Sequence, residues 1–232
     1  MTSKANLVLL PGFMCDHGLW DRMAARLSAA AELHFGNLFE DDSIPGMAAR
    51  VLSNAPETFS LAGFSMGGYV AREIVMTAPE RVERLALMNT SAEGASSEFL
   101  ARRQRMIEIT RDRPFTGMAP TSLRQAVHPD RADDRPLLDH IQTMARRLGK
   151  DVFIRQMGLA RQDGHARLAE ITCPTLVVSC DQDRLRSVDE ARALANGIPD
   201  ARLEIMADCG HMTPLEQPNV LAELMLDWLA GA

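Results

Sequence analysis

One short segment of the sequence, Gly63–Gly68, carries a serine in a setting suited to nucleophilic chemistry. The segment reads Gly-Phe-Ser-Met-Gly-Gly, follows the apolar run Phe59–Gly63 and precedes a stretch with helical periodicity. A serine on a sharp strand-to-helix turn adopts a strained backbone, and the residues two before and two after it approach so closely that glycine is required. Gly63 and Gly67 occupy these two positions, so the pattern predicts Ser65 as an exposed nucleophile.

Two other interpretations of this segment compete with the first. The Gly-x-Ser-x-Gly pattern arises by chance in turns, and a dinucleotide-binding fingerprint is also a glycine-rich turn between a strand and a helix. In such a fingerprint the middle glycine would fall on Ser65, whose side chain would obstruct the pyrophosphate, and the following glycines are misplaced. The nucleophile is therefore favoured, and the sequence requires no metal or organic cofactor.

A serine hydroxyl is a weak nucleophile unless a base accepts its proton and a third group orients that base. Of the six histidines, only His211 lies on a loop directly after a late predicted strand. Thr213 and Glu216 have the spacing of a capping box, with Pro214 at the first helical position, so a helix is predicted to begin just beyond His211. His211 is the candidate base; the alternative is a loop histidine that makes only local hydrogen bonds.

Two aspartates, Asp181 and Asp183, follow the preceding predicted strand and could orient His211. Asp183 lies further into the loop and is preferred, whereas Asp181 suits a turn. The same three residue types could bind a metal ion, but a third firm ligand is lacking, so no metal is expected.

Attack on an acyl group creates an oxyanion, which needs two hydrogen-bond donors. The Met66 N–H, at the start of the predicted helix, is the first candidate. The loop after the first strand should supply the second, and because Gly12 permits an unusual backbone there, the Phe13 N–H is predicted. The side chains of Met14 and Phe64 are candidates for substrate contact, although packing in the core explains Phe13 and Met14 equally well.

The elements that position these residues alternate between strand and helix, which predicts an α/β fold with a mainly parallel sheet covered by helices on both faces. Six strands are predicted at Leu7–Leu10, Glu32–Asn37, Phe59–Gly63, Val82–Met88, Thr175–Ser179 and Ala201–Met206. Helices between and after them are predicted at Asp16–Ala30, Pro45–Asn54, Met66–Thr77, Val188–Asn196 and Pro214–Leu229.

Residues 93–169 interrupt this alternation because they contain no convincing strand. Helices are predicted there at Ser97–Thr110, Thr121–Val127, Arg135–Leu148 and Val152–Gln162. An insertion at this point would cover the carboxyl ends of the strands, where open α/β sheets bind ligands, so it is a candidate lid. The predicted organisation is an α/β core of residues 1–92 and 170–232 with a helical cap of residues 93–169. The cap holds four methionines, whose flexible side chains favour an apolar pocket that can repack.

Charge and cysteine content limit the kinds of partner that the sequence favours. The net charge of −6 disfavours nucleic acid as a ligand. Residues 93–168 nevertheless hold 14 Lys/Arg against 10 Asp/Glu, which is typical of a solvated helical surface but also compatible with an anionic substrate. The four cysteines form no C-x-x-C pair, and no segment has the length of a signal peptide or a membrane span. A cytoplasmic protein without a membrane partner is expected, and its oligomeric state stays open.

The chain resembles the α/β-hydrolase superfamily, in the branch that carries a helical cap after the sixth strand of the family. Four segments carry the resemblance: Leu7–Phe13, Gly63–Gly68, Pro174–Val178 with Asp183, and Gly210–His211 with Leu215–Pro218. It implies a Ser65–His211–Asp183 triad and selects Asp183 over Asp181. The chain departs from the family in having Pro11 where many members have histidine and Cys180 where glycine is common. It also begins at the strand that is usually third, so about six strands are expected.

Among capped members the chain is similar to small bacterial esterases, enol-lactonases and a lyase that makes a menaquinone precursor. The resemblance implies hydrolysis of a small ester or lactone through an acyl-enzyme, and the arginines of residues 93–168 are compatible with an anionic one. Two alternatives stay open: a non-hydrolytic enzyme with the same triad, such as a lyase or perhydrolase, and a ligand-binding receptor that has kept the fold.

Overall fold

A six-stranded sheet with every strand pair parallel forms the centre of the computed structural model, which describes residues 4–231. The strands are β1 (Ala5–Leu10), β2 (Ala31–Phe35), β3 (Phe59–Phe64), β4 (Val82–Met88), β5 (Thr175–Cys180) and β6 (Ala201–Met206). Their order across the sheet is β2-β1-β3-β4-β5-β6. The predicted parallel α/β architecture is confirmed, and each predicted strand overlaps an observed one.

The sheet is covered on both faces, which explains why its central strands are continuous apolar runs. Successive residues of β1 point to opposite sides, with Leu7 and Leu9 in one hydrophobic cluster and Val8 and Leu10 in the other. Strands β3 and β5 are buried along their whole length, whereas the edge strands β2 and β6 are only partly buried. The edge position of β2 explains why the predicted strand Glu32–Asn37 has apolar side chains only at Leu33 and Phe35.

Nine helices accompany the sheet within the described residues. They are α1 (Asp21–Ala30), α2 (Ile44–Asn54), α3 (Met66–Thr77), α4 (Ser97–Arg111), α5 (Pro120–Ala126), α6 (Arg135–Met157), α7 (Val188–Gly197), α8 (Thr213–Glu216) and α9 (Pro218–Ala230). Helices α1 and α9 pack against one face of the sheet, and α2, α3 and α7 against the other. None of these helices is both long and apolar enough to cross a bilayer.

Two predicted helices of the core differ from the observed ones. The predicted helix Asp16–Ala30 starts with a separate 3₁₀ turn, because the Asp16 carboxylate accepts the Gly18 N–H at 2.9 Å and α1 begins only at Asp21. The predicted last helix is split into α8 and α9. Proline at 218 disfavours helical backbone in the residue before it, and Gln217, with φ of −131° and ψ of 56°, is non-helical between the two helices.

The described residues of the predicted cap contain helices and no strand. The two helices predicted at Arg135–Leu148 and Val152–Gln162 correspond to the two parts of α6, which are separated at Gly149 by a non-helical backbone with φ of +79° and ψ of −176°. The segments that enter and leave this region run side by side. The Ala95 N–H donates to the Arg161 carbonyl at 2.9 Å, and the Gly164 N–H donates to the Ala92 carbonyl at 2.8 Å.

Candidate active site

The turn between β3 and α3 holds Ser65 in a backbone conformation that L-residues rarely adopt, with φ of 50° and ψ of −110°. Hydrogen bonds on both sides keep it there. The Ser65 N–H donates to the Met88 carbonyl at 2.8 Å, and the Thr90 hydroxyl donates to the Ser65 carbonyl at 2.8 Å. Neighbouring structure therefore maintains a strained conformation, as is common for residues at functional sites.

The two glycines of the turn are required by close backbone contacts. A Cβ atom on Gly67 would lie 2.5 Å from the Leu10 carbonyl oxygen, and one on Gly63 would lie 2.6 Å from the Gly67 carbonyl oxygen. Both distances are far below van der Waals contact with backbone that cannot move aside. Helix α3 can thus begin directly against the ends of β1 and β3, and this crowding turns Ser65 out of the sheet.

The three residues predicted as a triad form one chain of hydrogen bonds. His211 Nε2 lies 2.9 Å from Ser65 Oγ, and His211 Nδ1 lies 2.7 Å from Asp183 Oδ2. The side chain of His211 is 7% exposed and that of Asp183 is fully buried. When Nδ1 donates its proton to the carboxylate, Nε2 is left as the acceptor for the serine hydroxyl. The arrangement can deprotonate Ser65 as it attacks a substrate.

The buried carboxylate of Asp183 is held in its ionised form. Burial by itself would raise its pKa, but the charge of His211 and hydrogen bonds from His211, Asn89 and the Leu185 N–H keep the pKa below its ordinary value. An ionised Asp183 stabilises the imidazolium that forms when His211 accepts a proton.

The second aspartate of this loop takes a different position. Asp181 is exposed, and its carboxylate accepts the Cys209 N–H at 3.4 Å instead of facing His211. Within residues 4–231, no three His, Cys, Asp or Glu side chains gather into a group able to hold a metal ion.

Asn89 is a site residue that the sequence analysis missed. It follows β4 directly, with φ of +47°, and its Nδ2 donates to Asp183 Oδ2 at 3.0 Å. A polar side chain immediately after a buried central strand was the available signal. Asn89 shares the Asp183 oxygen that accepts from His211, so it fixes the orientation of the carboxylate.

The predicted capping box at Thr213 is wrong. The residue before α8 is Met212, and the Thr213 hydroxyl donates to Asn89 Oδ1 at 2.6 Å instead of capping the helix. The Glu216 part of the prediction survives, because Glu216 Oε1 accepts the Met212 N–H at 3.0 Å. The Thr213 hydroxyl therefore bonds to the buried side-chain amide of Asn89, behind Asp183, and not to the helix terminus.

The loop after β1 lies beside Ser65. A Cβ atom on Gly12 would come within 2.8 Å of the Phe64 ring and 3.3 Å of Ser65 Cβ. The Phe13 N–H donates no hydrogen bond within the described part of the chain. Met66 is the first residue of α3, where backbone N–H groups have no acceptor within the helix. Of the two N–H groups predicted to bind an oxyanion, that of Phe13 is therefore unpaired, and that of Met66 lies at a position where the helix supplies no acceptor.

Gln156, which the sequence analysis also missed, anchors this loop from α6. Its side chain is completely buried, its Oε1 accepts the Met14 N–H at 2.9 Å, and its Nε2 donates to the Leu38 carbonyl at 3.0 Å. Met14 itself has φ of +54°, so the turn is strained. No local pattern distinguishes Gln156 from the other polar residues of a half-buried helix. Only its contact with Met14, 142 residues away in the chain, identifies it.

Replacing Gln156 with leucine is expected to impair both stability and turnover. The Met14 N–H and the Leu38 carbonyl would stay buried without partners, which costs about 2–4 kcal/mol of unfolding free energy. The Phe13 N–H precedes the released turn, so kcat should fall about tenfold through imperfect oxyanion binding. Urea unfolding and steady-state kinetics measure the two effects.

Gln142→Leu is the matched control, because Gln142 Oε1 likewise accepts a backbone N–H, that of Met118, at 2.8 Å. That variant should lose stability but keep kcat within twofold. An unchanged kcat in Gln156→Leu would refute the positioning role.

The two residues predicted to contact substrate are both buried. The Phe64 ring packs against the His211 ring, with centroids 5.2 Å apart. Met14 lies in a small cluster with Ala145 and Phe153, at the boundary between the loop and α6. Their contact with substrate stays a prediction.

Residues 7–224 match the alpha/beta hydrolase family, and the chain therefore belongs to that family. The resemblance found in the sequence is confirmed.

Among curated proteins, the chain is 27% identical to the pimeloyl-[acyl-carrier protein] methyl ester esterase of Nitrosomonas europaea, over 92% of this chain and 91% of that protein. It is 28% identical to the 2-hydroxy-6-oxononadienedioate/2-hydroxy-6-oxononatrienedioate hydrolase of Paraburkholderia phymatum, over 97% of this chain and 87% of that protein.

Two solved structures share the fold. A thermophilic esterase from Thermogutta terrifontis, with malate bound, superposes with a TM-score of 0.89 at 24% identity, covering 99% of this chain and 90% of that one. The enol-lactonase from Burkholderia xenovorans LB400 superposes with a TM-score of 0.83 at 20% identity, covering 98% and 92%. At these identities the likeness concerns the fold alone.

Proposed function

We propose that this protein is a serine hydrolase that cleaves a small ester or lactone through an acyl-enzyme intermediate. One observation carries the proposal: the continuous hydrogen-bond chain from Asp183 through His211 to Ser65, with distances of 2.7 and 2.9 Å. The strained turn that presents Ser65 supports it, because such strain is maintained only where surrounding structure enforces it.

In the first half of the reaction, Ser65 Oγ attacks the acyl carbon while His211 Nε2 accepts the hydroxyl proton. The carbonyl oxygen becomes an oxyanion that accepts hydrogen bonds from the Phe13 and Met66 N–H groups. Each such donor contributes about 3 kcal/mol to lowering the barrier. The tetrahedral intermediate then collapses, the bond to the leaving alkoxide breaks, and His211 donates its proton to that oxygen.

In the second half, His211 removes a proton from water, whose oxygen attacks the acyl-enzyme carbonyl. The second oxyanion is held by the same two N–H groups. Its collapse breaks the bond to Ser65 Oγ, which takes the proton back from His211, and the carboxylic acid leaves. A lactone follows the same steps, except that the leaving alcohol stays attached to the acyl chain.

The relatives support a hydrolytic reaction on a small molecule. One is named a methyl ester esterase and another a dioate hydrolase, and a structural neighbour is an enol-lactonase. Esters and lactones are proposed because an alkoxide leaves the tetrahedral intermediate more readily than an amide nitrogen does, with His211 as the general acid.

The test combines a substrate panel with active-site labelling. Aryl esters, aliphatic lactones and anilides of matched acyl length are assayed, and the protein is treated with a serine-directed phosphonate and analysed by peptide mass spectrometry. We expect turnover of esters or lactones, a burst of alcohol equal to the enzyme concentration, and an adduct on Ser65. No adduct would contradict the nucleophile, and an adduct without ester or lactone turnover would contradict the proposed reaction.

A further inference from the structure

Four arginines from distant parts of the chain converge beside the proposed catalytic residues. This arginine cluster comprises Arg72 in α3, Arg103 in α4, Arg161 after α6 and Arg186 after β5. The guanidinium carbons of Arg161, Arg72 and Arg186 lie 4.8, 5.0 and 6.0 Å from the centre of the Tyr69 ring. The Phe99 ring lies against the same group, with Arg161 at 5.9 Å. Two aromatic rings therefore organise four positive charges.

The charges of the arginine cluster are poorly compensated. Arg186 forms an ion pair with Glu190 at 2.8 Å, but among the described residues no carboxylate pairs with Arg72, Arg103 or Arg161. Arg72 and Arg103 donate only to backbone carbonyls and to a methionine sulfur. Asp163 and Glu73 act on Arg72 only at longer range, and Asp163 is hydrogen-bonded to a neighbouring histidine. Buried charges are normally paired, so an excess of three cations needs an explanation.

The repulsion between the arginines of the cluster affects the pKa of Arg103. Burial lowers its pKa to about 10, and the positive charges of Arg161, Arg102 and Arg186 act in the same direction. Burial likewise lowers the pKa of Arg161, and the charge of Arg186 contributes to that shift. The cations therefore destabilise one another, and a bound anion would relieve all of them together.

Hydrogen-bond donors in the cluster are also unused. The Nε atoms of Arg72 and Arg161 are buried without a partner, and Arg72 as a whole is only 5% exposed. The Arg161 guanidinium makes ring contacts with Tyr69 and Phe99, and Tyr69 is also its side-chain hydrogen-bond partner. A guanidinium held flat against a ring directs its N–H groups sideways, in the planar fork that matches the two oxygens of a carboxylate.

The arginine cluster adjoins the reacting centre. Tyr69 lies in the first turn of α3, four residues after Ser65, and its hydroxyl is hydrogen-bonded to the Ser91 hydroxyl at 2.9 Å. The Arg186 N–H donates to Asp183 Oδ1 at 3.0 Å. The arginine cluster is therefore built on the two segments of the chain that also carry Ser65 and Asp183.

We infer that the arginine cluster binds a carboxylate at the far end of the acyl chain, so that the preferred substrates are half-esters or lactones derived from dicarboxylic acids. The inference rests on the proposed function for its catalytic consequence, since the acyl group must be attached to Ser65. The binding of a carboxylate by the cluster can be measured without catalysis.

Kinetics on matched substrates test the inference. The p-nitrophenyl half-esters of glutaric and adipic acid are compared with the neutral pentanoate and hexanoate esters. Wild type should favour the half-esters in kcat/KM at least about tenfold. Arg161→Gln should lose about 10- to 100-fold on the half-esters and stay within twofold on the neutral esters, the size of effect expected for a charge-assisted hydrogen bond. Arg161→Lys should be intermediate, because it keeps the charge and loses the fork.

A control variant and a binding measurement separate the possible failures. Arg105→Gln, at an exposed position of α4, should change neither substrate class. Calorimetry should detect glutarate binding to Ser65→Ala and a loss of that binding when Arg161→Gln is added. An equal loss on charged and neutral esters, or glutarate binding that Arg161→Gln leaves unchanged, would overturn the inference. If wild type hydrolyses neither ester while Ser65→Ala binds glutarate through Arg161, the proposed function fails and the carboxylate site stands.

Discussion

Replacing Ser65 with alanine is expected to lower kcat by about 10⁴- to 10⁶-fold, the largest effect of any single substitution in this protein. The substitution removes the atom that forms the bond to the acyl group, and no other described hydroxyl is hydrogen-bonded to His211. KM should change little, because the oxyanion donors and the rest of the pocket are untouched. Steady-state kinetics on the preferred substrate, with the mutant purified free of wild type, measure the loss.

The control for this variant is Ser60→Ala, which removes a hydroxyl from the buried strand β3 that leads into the turn. That variant should retain kcat within about twofold. Residual activity of Ser65→Ala above one hundredth of wild type would contradict the nucleophilic role.

The strained backbone at Ser65 adds a stability test to the same position. Glycine tolerates the observed φ of 50° and ψ of −110°, whereas alanine does not. The free energy of unfolding of Ser65→Gly should therefore be about 1 kcal/mol higher than that of Ser65→Ala, although both variants are inactive. Urea denaturation gives this difference, and a less stable glycine variant would show that the turn is not strained.

Asp183→Asn is expected to lower kcat by about 10⁴-fold, the second-largest effect. An amide can donate a hydrogen bond to His211 Nδ1, which would favour the tautomer that carries its proton on Nε2 and so cannot accept one from Ser65. It also removes the negative charge that stabilises the imidazolium. The remaining side-chain oxygen can still accept the Leu185 and Arg186 N–H groups, so the loop should keep its shape, although Asn89 loses the acceptor that it shares with His211.

Asp181→Asn is the matched control, since Asp181 lies in the same loop, is exposed and does not contact His211. Its kcat should stay within about threefold of wild type. A large loss in Asp181→Asn with a small loss in Asp183→Asn would reverse the two assignments.

The pH dependence of stability provides a separate measurement on Asp183. Its pKa in the folded protein is below the ordinary value, so its ionised form favours folding. That contribution is complete above the unfolded-state pKa of about 3.9 and is lost as pH falls towards the lower folded-state pKa. The stability difference between wild type and Asp183→Asn should therefore shift against wild type below about pH 4, as measured by denaturant titration at several pH values.

Much of the candidate site was predictable because its signals are local. The glycines at 63 and 67 are set by atoms within a few residues and by the end of β1, so the turn around Ser65 has a recognisable sequence. His211 and Asp183 follow buried apolar strands, and parallel strands present their carboxyl ends at one edge of the sheet. The structure brings the three side chains together, and their catalytic roles stay predictions that the experiments above test.

Helix boundaries were less predictable where two local preferences compete. The apolar residues of 16–30 keep helical spacing throughout, although Asp16 caps a separate 3₁₀ turn there. The apolar residues of 214–229 likewise keep helical spacing on both sides of Pro218. In both places a side-chain hydrogen bond or a proline ends one helix and begins another without disturbing the apolar pattern. The capping role predicted for Thr213 was wrong for a related reason, since its hydroxyl donates to the distant Asn89 side chain and not to the nearby helix terminus.

By itself, the sequence determined the alternation of strands and helices, the serine turn and the order of the proposed triad, because these depend on periodicity and on residues close together in the chain. Only the tertiary structure decided which polar side chains support the site. Thr213 reaches Asn89 across 124 residues and Gln156 reaches Met14 across 142, and the arginine cluster joins four separate segments. Such contacts form when apolar surfaces pack and bring distant polar groups into the same buried space, where each must find a partner.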